Sequence, residues 1–212
     1  MIERQLRAFG FDTALTPDVQ HDLRLVAATP FTRSTEAPRL VDLSKDVQLR
    51  ELEFTLHVDR PKLPGLAEIL SQHGAPAAAP LYYERLAEVS GQTLQRFLRG
   101  YIDLMFEWRG RWYVADYKSN TLPTYGPEAI NEAVQRTHYL LQAQLYTAAA
   151  HRYLKQRVAD YDPDTQWGGA LFLFLRGMRG AEGAGASVFF DRQSPELLSA
   201  VDRWLGGADE SF

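Results

Sequence analysis

GYIDLMFEWRGRWYVADYKSN, residues 100–120, decides how this chain of 212 residues is read. Two runs rich in β-formers, Tyr101 to Trp108 and Trp112 to Lys118, flank Arg109-Gly110-Arg111, and the short Gly-containing spacing predicts a β-hairpin. Asp116 and Lys118 are two positions apart, so both side chains leave one face of the second strand while Tyr117 leaves the other. With the turn at Gly110, Asp103 on the partner strand falls near the level of Asp116. Taken alone, Asp-x-Lys is a common triplet, and such a pair is more often a solvated ion pair. Here both aspartates stand in otherwise apolar strands, where an uncompensated carboxylate is costly, and two such breaks of patterning in one hairpin point to a site. The chemistry these groups offer is phosphodiester hydrolysis. Carboxylates hold a hard divalent cation such as Mg2+, which prefers oxygen ligands and keeps several waters, and the carbonyl of Tyr117 is the backbone ligand within reach. A lysine ammonium positions the attacking water or stabilises charge developing on phosphate.

Outward from the hairpin, LRELEFTLHV, residues 49–58, alternates apolar and polar positions and reads as a strand. The stretch Ile2 to Ala28 reads as helical, punctuated by Gly10 and Pro17, and Thr29 to Val41 reads as a loop. Pro64 opens a short helix closed by Gly74; GAPAAAP is a loop, a further helix begins near Tyr82 or Tyr83 and runs to Val89, and Gln92 to Leu98 adds a helical turn or two. Beyond the hairpin, a long helix is expected from about Glu128 to Val158, with an interruption near His138. WGGALFLFLRGM is continuously apolar, as a strand covered on both faces would be, and PELLSAVDRWLGG is a terminal helix.

Composition narrows the function classes. Apolar residues make up 45% and charged residues 24%, ordinary globular usage. With no cysteine, disulfides, thiol nucleophiles, thiolate zinc sites and cysteine-held iron–sulfur clusters are excluded together. The longest apolar run, Ala170 to Leu175, is too short to span a bilayer, and the N-terminus lacks a signal-like apolar stretch, so a cytoplasmic setting without membrane contact is expected. A net charge of −4 argues against holding nucleic acid by bulk charge. The five histidines show no H-x-x-x-H grouping, and no G-x-x-x-x-G-K-[ST] loop occurs, which leaves ATP-driven movement outside these residues.

The blocks GYIDLMFEWRGRWYVADYKSN, LQAQLYTAAAHRYL and GGALFLFLRGM, in this order and spacing, resemble the C-terminal nuclease domains of the RecB family, within the restriction-endonuclease-like PD-(D/E)XK superfamily. The resemblance implies an α/β fold, a central mixed β-sheet flanked by helices, with an N-terminal helical segment. It implies Mg-dependent DNA cleavage of the exodeoxyribonuclease V type, with Asp103 and Asp116 as metal ligands and Lys118 as catalytic lysine. It also implies a Q-x-x-x-Y motif, here Gln142 and Tyr146, whose four-residue spacing places both on one helical face. An E-x-x-F pattern makes Glu51 a further metal ligand, with Glu53 as the alternate. Implied partners are DNA ends or single strands, the RecC and RecD subunits, and RecA. The family's upstream G-x-x-x-H motif is absent, and His21 does not substitute for it, so the expectation is a single nuclease domain over 1–212 lacking its N-terminal part. Within it, 1–45 is a helical lead-in, 46–180 the nuclease core and 187–212 a terminal strand and helix. The competing reading is a catalytically degenerate nuclease fold that binds DNA or RecA without cleaving.

Overall fold

In the computed structural model, residues 1–57, 63–73, 82, 86 and 97–206 are described. Five strands, β1 (Gln48–His57), β2 (Phe97–Trp108), β3 (Arg111–Lys118), β4 (Trp167–Phe174) and β5 (Val188–Asp191), lie side by side in sequence order. The β3–β4 pair is parallel and the other three are antiparallel, which gives the mixed sheet expected. The β2–β3 hairpin closes in two residues, with Trp108 opposite Arg111. Arg109 and Gly110 take φ of 52° and 76°, the pair of positive values a tight hairpin turn needs to match the strand twist.

Strand β2 starts earlier than its sequence suggests. Phe97 and Leu98, expected to be helical, are strand residues opposite His57 and Leu56 of β1; cross-strand pairing overrides their local propensity. Gln92 to Arg96, the loop at 74–80 and most of the helix expected up to Val89 lie outside the described residues, of which Tyr82 and Leu86 are helical.

The described helices are α1 (Ile2–Ala8), α2 (Thr16–Ala28), α3 (Leu63–His73), α4 (Pro127–Arg136), α5 (Tyr139–Arg157), α6 (Pro163–Gln166) and α7 (Pro195–Trp204). Helices α4, α5 and α6 make the crossover that a parallel β3–β4 pair requires. The helix expected over 128–158 is broken where anticipated: His138, at φ 58°, turns the chain between α4 and α5.

All eight residues of β4 are buried, because both faces of the sheet are covered there. Ala170, Phe172 and Phe174 join Val114, Met105 and the inner face of α5 in one apolar cluster, to which α3 and α7 add Leu66, Leu70, Leu197 and Val201. Leu171 and Leu173 join Leu104, Phe106, Ala115 and Phe31 in a second cluster on the opposite face. The sheet is therefore the middle layer, and polar groups pointing toward α5 from β3 enter an apolar interior.

Candidate active site

Asp116 and Lys118 point from β3 toward α5, alternating with Ala115 and Tyr117 on the other side, as their two-residue spacing requires. They are 6% and 7% exposed, so they form a buried ion pair, with Lys118 Nζ 2.6 Å from Asp116 Oδ2. Burial of two charges is tolerated only where other polar groups complete the bonding, and α5 supplies them. Lys118 Nζ donates to Gln142 Oε1 at 2.6 Å, while Gln142 Nε2 donates to Asp116 Oδ1 at 3.2 Å and to Tyr146 Oη at 2.7 Å. Tyr146 Oη in turn donates to Asp116 Oδ1 at 3.1 Å. The four-residue spacing of Gln142 and Tyr146 puts both on one stripe of α5, one helical turn apart. Phe54 of β1 packs edge-on against the Tyr146 ring, with centroids 5.7 Å apart.

Asp103 joins this group from β2. The regular β2–β3 ladder ends at Leu104 opposite Ala115, one row short of the two aspartates. At the next level the Asp103 carboxylate, through Oδ2, accepts the backbone N–H of Tyr117 at 2.8 Å, so a side chain takes the place of a ladder bond. The β1–β2 pairing is interrupted in the same row. Arg50 faces Leu104 and Leu52 faces Ile102, but Glu51 and Asp103 between them are not paired, and Glu51 has φ 52°. Both strands change phase there: Leu49 and Leu52, and likewise Ile102 and Met105, lie three apart yet pack on the same cluster, where a regular strand would require an even spacing. Glu51, Asp103 and Asp116 thus fall in one irregular row across three strands.

Burial is the main cause that raises the Asp116 carboxyl above its ordinary range; Lys118 acts against it and the nearby negative charge of Asp103 adds to it. Tyr146 is likewise raised, chiefly by burial and then by the charge of Asp116, so its hydroxyl stays protonated and donates. A cation between the two aspartates would relieve the repulsion that raises Asp116. Two carboxylates side by side, one of them bonded to the Tyr117 backbone N–H, are oxygen donors of the kind that suits a hard, partly hydrated divalent ion. Glu51 is exposed and does not complete a tight acidic cluster: among the described residues no group of three or more His, Cys, Asp or Glu is placed to hold a metal. Glu53 is exposed as well and is paired with Arg99.

Two neighbours were missed in the sequence. The Tyr139 ring lies 3.8 Å from Lys118 Nζ, with Phe172 at 4.7 Å, and Tyr139 Oη donates to Asn120 Oδ1 at 3.1 Å. The spacing 139, 142, 146 on one helix was a readable signal for Tyr139; Asn120, in the loop after β3, gave none. A crevice of about 580 Å³ lined by Leu122, Pro123, Glu128, Glu132 and Arg136 runs beside α4 and includes none of the aspartates.

A sequence profile of the PD-(D/E)XK nuclease superfamily matches residues 14–208. The chain is 32% identical over 206 residues to the RecBCD enzyme subunit RecB of Haemophilus influenzae, covering 95% of this chain and 16% of that protein. It is 32% identical over 210 residues to the RecB subunit of Escherichia coli, covering 97% and 17%, and 36% identical over 185 residues to that of Mycobacterium tuberculosis, covering 79% and 17%. The chain therefore spans about one sixth of the length of the curated relatives it matches.

Proposed function

The chain belongs to the PD-(D/E)XK nuclease superfamily, and from that premise we propose that it is the Mg2+-dependent DNA-cleaving module of a RecB-type helicase–nuclease. The observation that supports this most is the closed set of bonds joining Asp116, Lys118, Gln142 and Tyr146 beside Asp103. A solvated ion pair on a strand would not recruit a helix amide and a tyrosine hydroxyl from 24 and 30 residues away.

In this reading Asp103, Asp116 and the Tyr117 carbonyl would hold the metal, and Glu51, exposed on β1, would join them only by turning inward. A Mg2+ ion held there would supply Lewis acidity for phosphodiester hydrolysis. Lys118 delivers positive charge at the carboxylates' edge and orients the attacking water. Gln142 fixes Lys118 from one end of its amide and Asp116 from the other, and Tyr146 holds the remaining lone pairs of Asp116 in direction. The Tyr139 ring, facing the Lys118 ammonium, keeps that charge in place within an apolar wall. The partners proposed for the larger assembly are RecC, RecD and RecA, and the setting is the cytoplasm, with double-strand break repair and recombination as the process served.

Cleavage of linear single-stranded DNA by the purified chain in Mg2+ is the direct test. Asp116→Ala is expected to lower the rate by about 10³-fold or more and to weaken Mg2+ binding, with a lower thermal midpoint but a domain still folded at the assay temperature. Lys118→Ala is expected to lose activity on a similar scale while retaining Mg2+ affinity. Wild-type DNA binding without any cleavage would favour the degenerate binding module instead, and equal loss of metal affinity in both variants would contradict the separate roles.

A further inference from the structure

Two large aromatic side chains stay exposed on the strands that carry the aspartates: Tyr101 at 45% and Tyr117 at 39%. Both leave the sheet on the side turned away from α5. Ile102, the neighbour of Tyr101, is packed in the cluster under α5, and Asp116 and Lys118, the neighbours of Tyr117, bond to α5. Each tyrosine is tied to the row of aspartates. The backbone N–H of Tyr117 bonds Asp103, and Tyr101 is two residues before it on β2.

A cation accompanies each ring on this face of the sheet. Arg99 Nη2 donates to Tyr101 Oη at 3.4 Å and Arg99 also pairs with Glu53, whereas Arg50 is exposed and, as the neighbour of Leu49, which packs under α5, leaves β1 on the same side as Tyr117. Among the described residues Arg50 bonds Gln48 Oε1, at 2.9 Å from Nη2 and 3.2 Å from Nε. Neither ring is a member of the two apolar clusters of the described residues, and each leaves about two fifths of its surface to solvent. Exposed aromatic faces interleaved with arginines are the elements from which single-strand grooves are made, because every base offers a face to stack and every nucleotide a phosphate to pair.

We propose that Tyr101 and Tyr117 form a base-stacking platform on the face of the sheet turned away from α5, with Arg50 and Arg99 contacting the backbone of the same DNA strand. The platform grips nucleotides that flank the row of aspartates, not those held by the groups that Asp116 and Lys118 present toward α5. A paired duplex, whose bases are already stacked, cannot use it, so the platform acts on strand preference and on grip. The inference rests on the nuclease reading above, but it concerns the tyrosine side chains alone; the Tyr117 backbone N–H on Asp103 and its carbonyl remain in every variant.

The test is equilibrium binding of a short fluorescein-labelled oligothymidylate to the full chain in EDTA, followed by fluorescence anisotropy. Tyr101→Ala and Tyr117→Ala are each expected to weaken binding roughly 5- to 100-fold, the range for removing one stacking ring. Tyr101→Phe and Tyr117→Trp, which keep a face and change the hydroxyl, are expected to retain affinity within about 2-fold, a rescue that a merely structural role would not give. Unchanged affinity in the alanine variants, no rescue by the aromatic variants, equal losses on duplex DNA, or no strand binding by the wild-type chain would each overturn the platform. The same proteins are assayed for cleavage in Mg2+: strand binding that depends on the rings without cleavage sinks the nuclease reading alone, and cleavage with no dependence on the rings sinks the platform alone.

Discussion

His151 lies on α5 with its ring edge-on to Tyr161, centroids 5.4 Å apart, and it is 6% exposed. Among the described residues neither His151 Nδ1 nor Tyr161 Oη finds a hydrogen-bond partner. Burial, and then the charge of Lys155, opposed by Asp202 and reinforced by Arg152, depress the imidazole from about 6.5 to about 4. A depressed group contributes stability that is present above its unfolded value and lost as pH falls through its folded value, here between about pH 6.5 and 4, and amounting to about 3 kcal/mol. Asp116 and Asp191 are raised by burial and act in the opposite sense, contributing stability that appears as pH falls into the acid end of that window. Urea denaturation from pH 7.5 to 4.5 is therefore expected to show a falling midpoint that His151→Gln flattens; an unchanged slope in the variant would show that His151 titrates normally. At this scale the candidate site was mostly legible. Asp103, Asp116 and Lys118 announced themselves as charges in apolar strands, and Gln142 and Tyr146 as a helical pair. Glu51 was chosen over Glu53 by pattern, but the backbone turn at Glu51 has no signature in residue type, so its outward placement could not be read.

Among the elements, the parallel β3–β4 pair is the one most dependent on close approach. A Cβ built on Gly168 would lie 2.4–2.6 Å from the ring of Tyr113, which is itself stacked on Phe106 at 5.2 Å. Gly168→Ala is expected to cost about 1–3 kcal/mol by overpacking, and the cost should fall below about 1 kcal/mol in a Tyr113→Thr background. Chemical denaturation of the four proteins measures the coupling, and additive costs would mean that the ring moves aside freely. The strands and helices around this pair are readable because their periods differ: alternation in β1, a short Gly-containing link in the hairpin, continuous apolarity in β4. The first residues of β2 are not, since Phe97 and Leu98 become strand by pairing with a segment some 40 residues earlier, a contact that local pattern does not encode. The break at His138 was anticipated, but its left-handed turn was visible only in the backbone.

For the molecule as a whole, a net charge of −4 means that affinity for DNA must come from a few placed cations and from stacking. The proposed contacts of Arg50 and Arg99 imply that log affinity for a single strand falls with log salt at a slope of about −1 to −2, near −0.7 per phosphate contact. Anisotropy titrations across a range of NaCl concentrations test this; a much steeper slope would require a basic surface elsewhere. The sheet also has two unlike ends. Five residue pairs of the β2–β3 arm separate the Arg109-Gly110 turn from the row of aspartates, which places that turn about 20 Å from them at the usual rise per residue. Both turn residues are exposed. Length within the arm is not free, because one added residue there would turn Asp103 to the opposite face. The turn itself carries no such constraint, so foreign sequence spliced between Arg109 and Gly110, such as a dye-labelling tag or a surface tether, would leave the distant chemistry in register and give a fixed point from which to watch a strand being drawn past it.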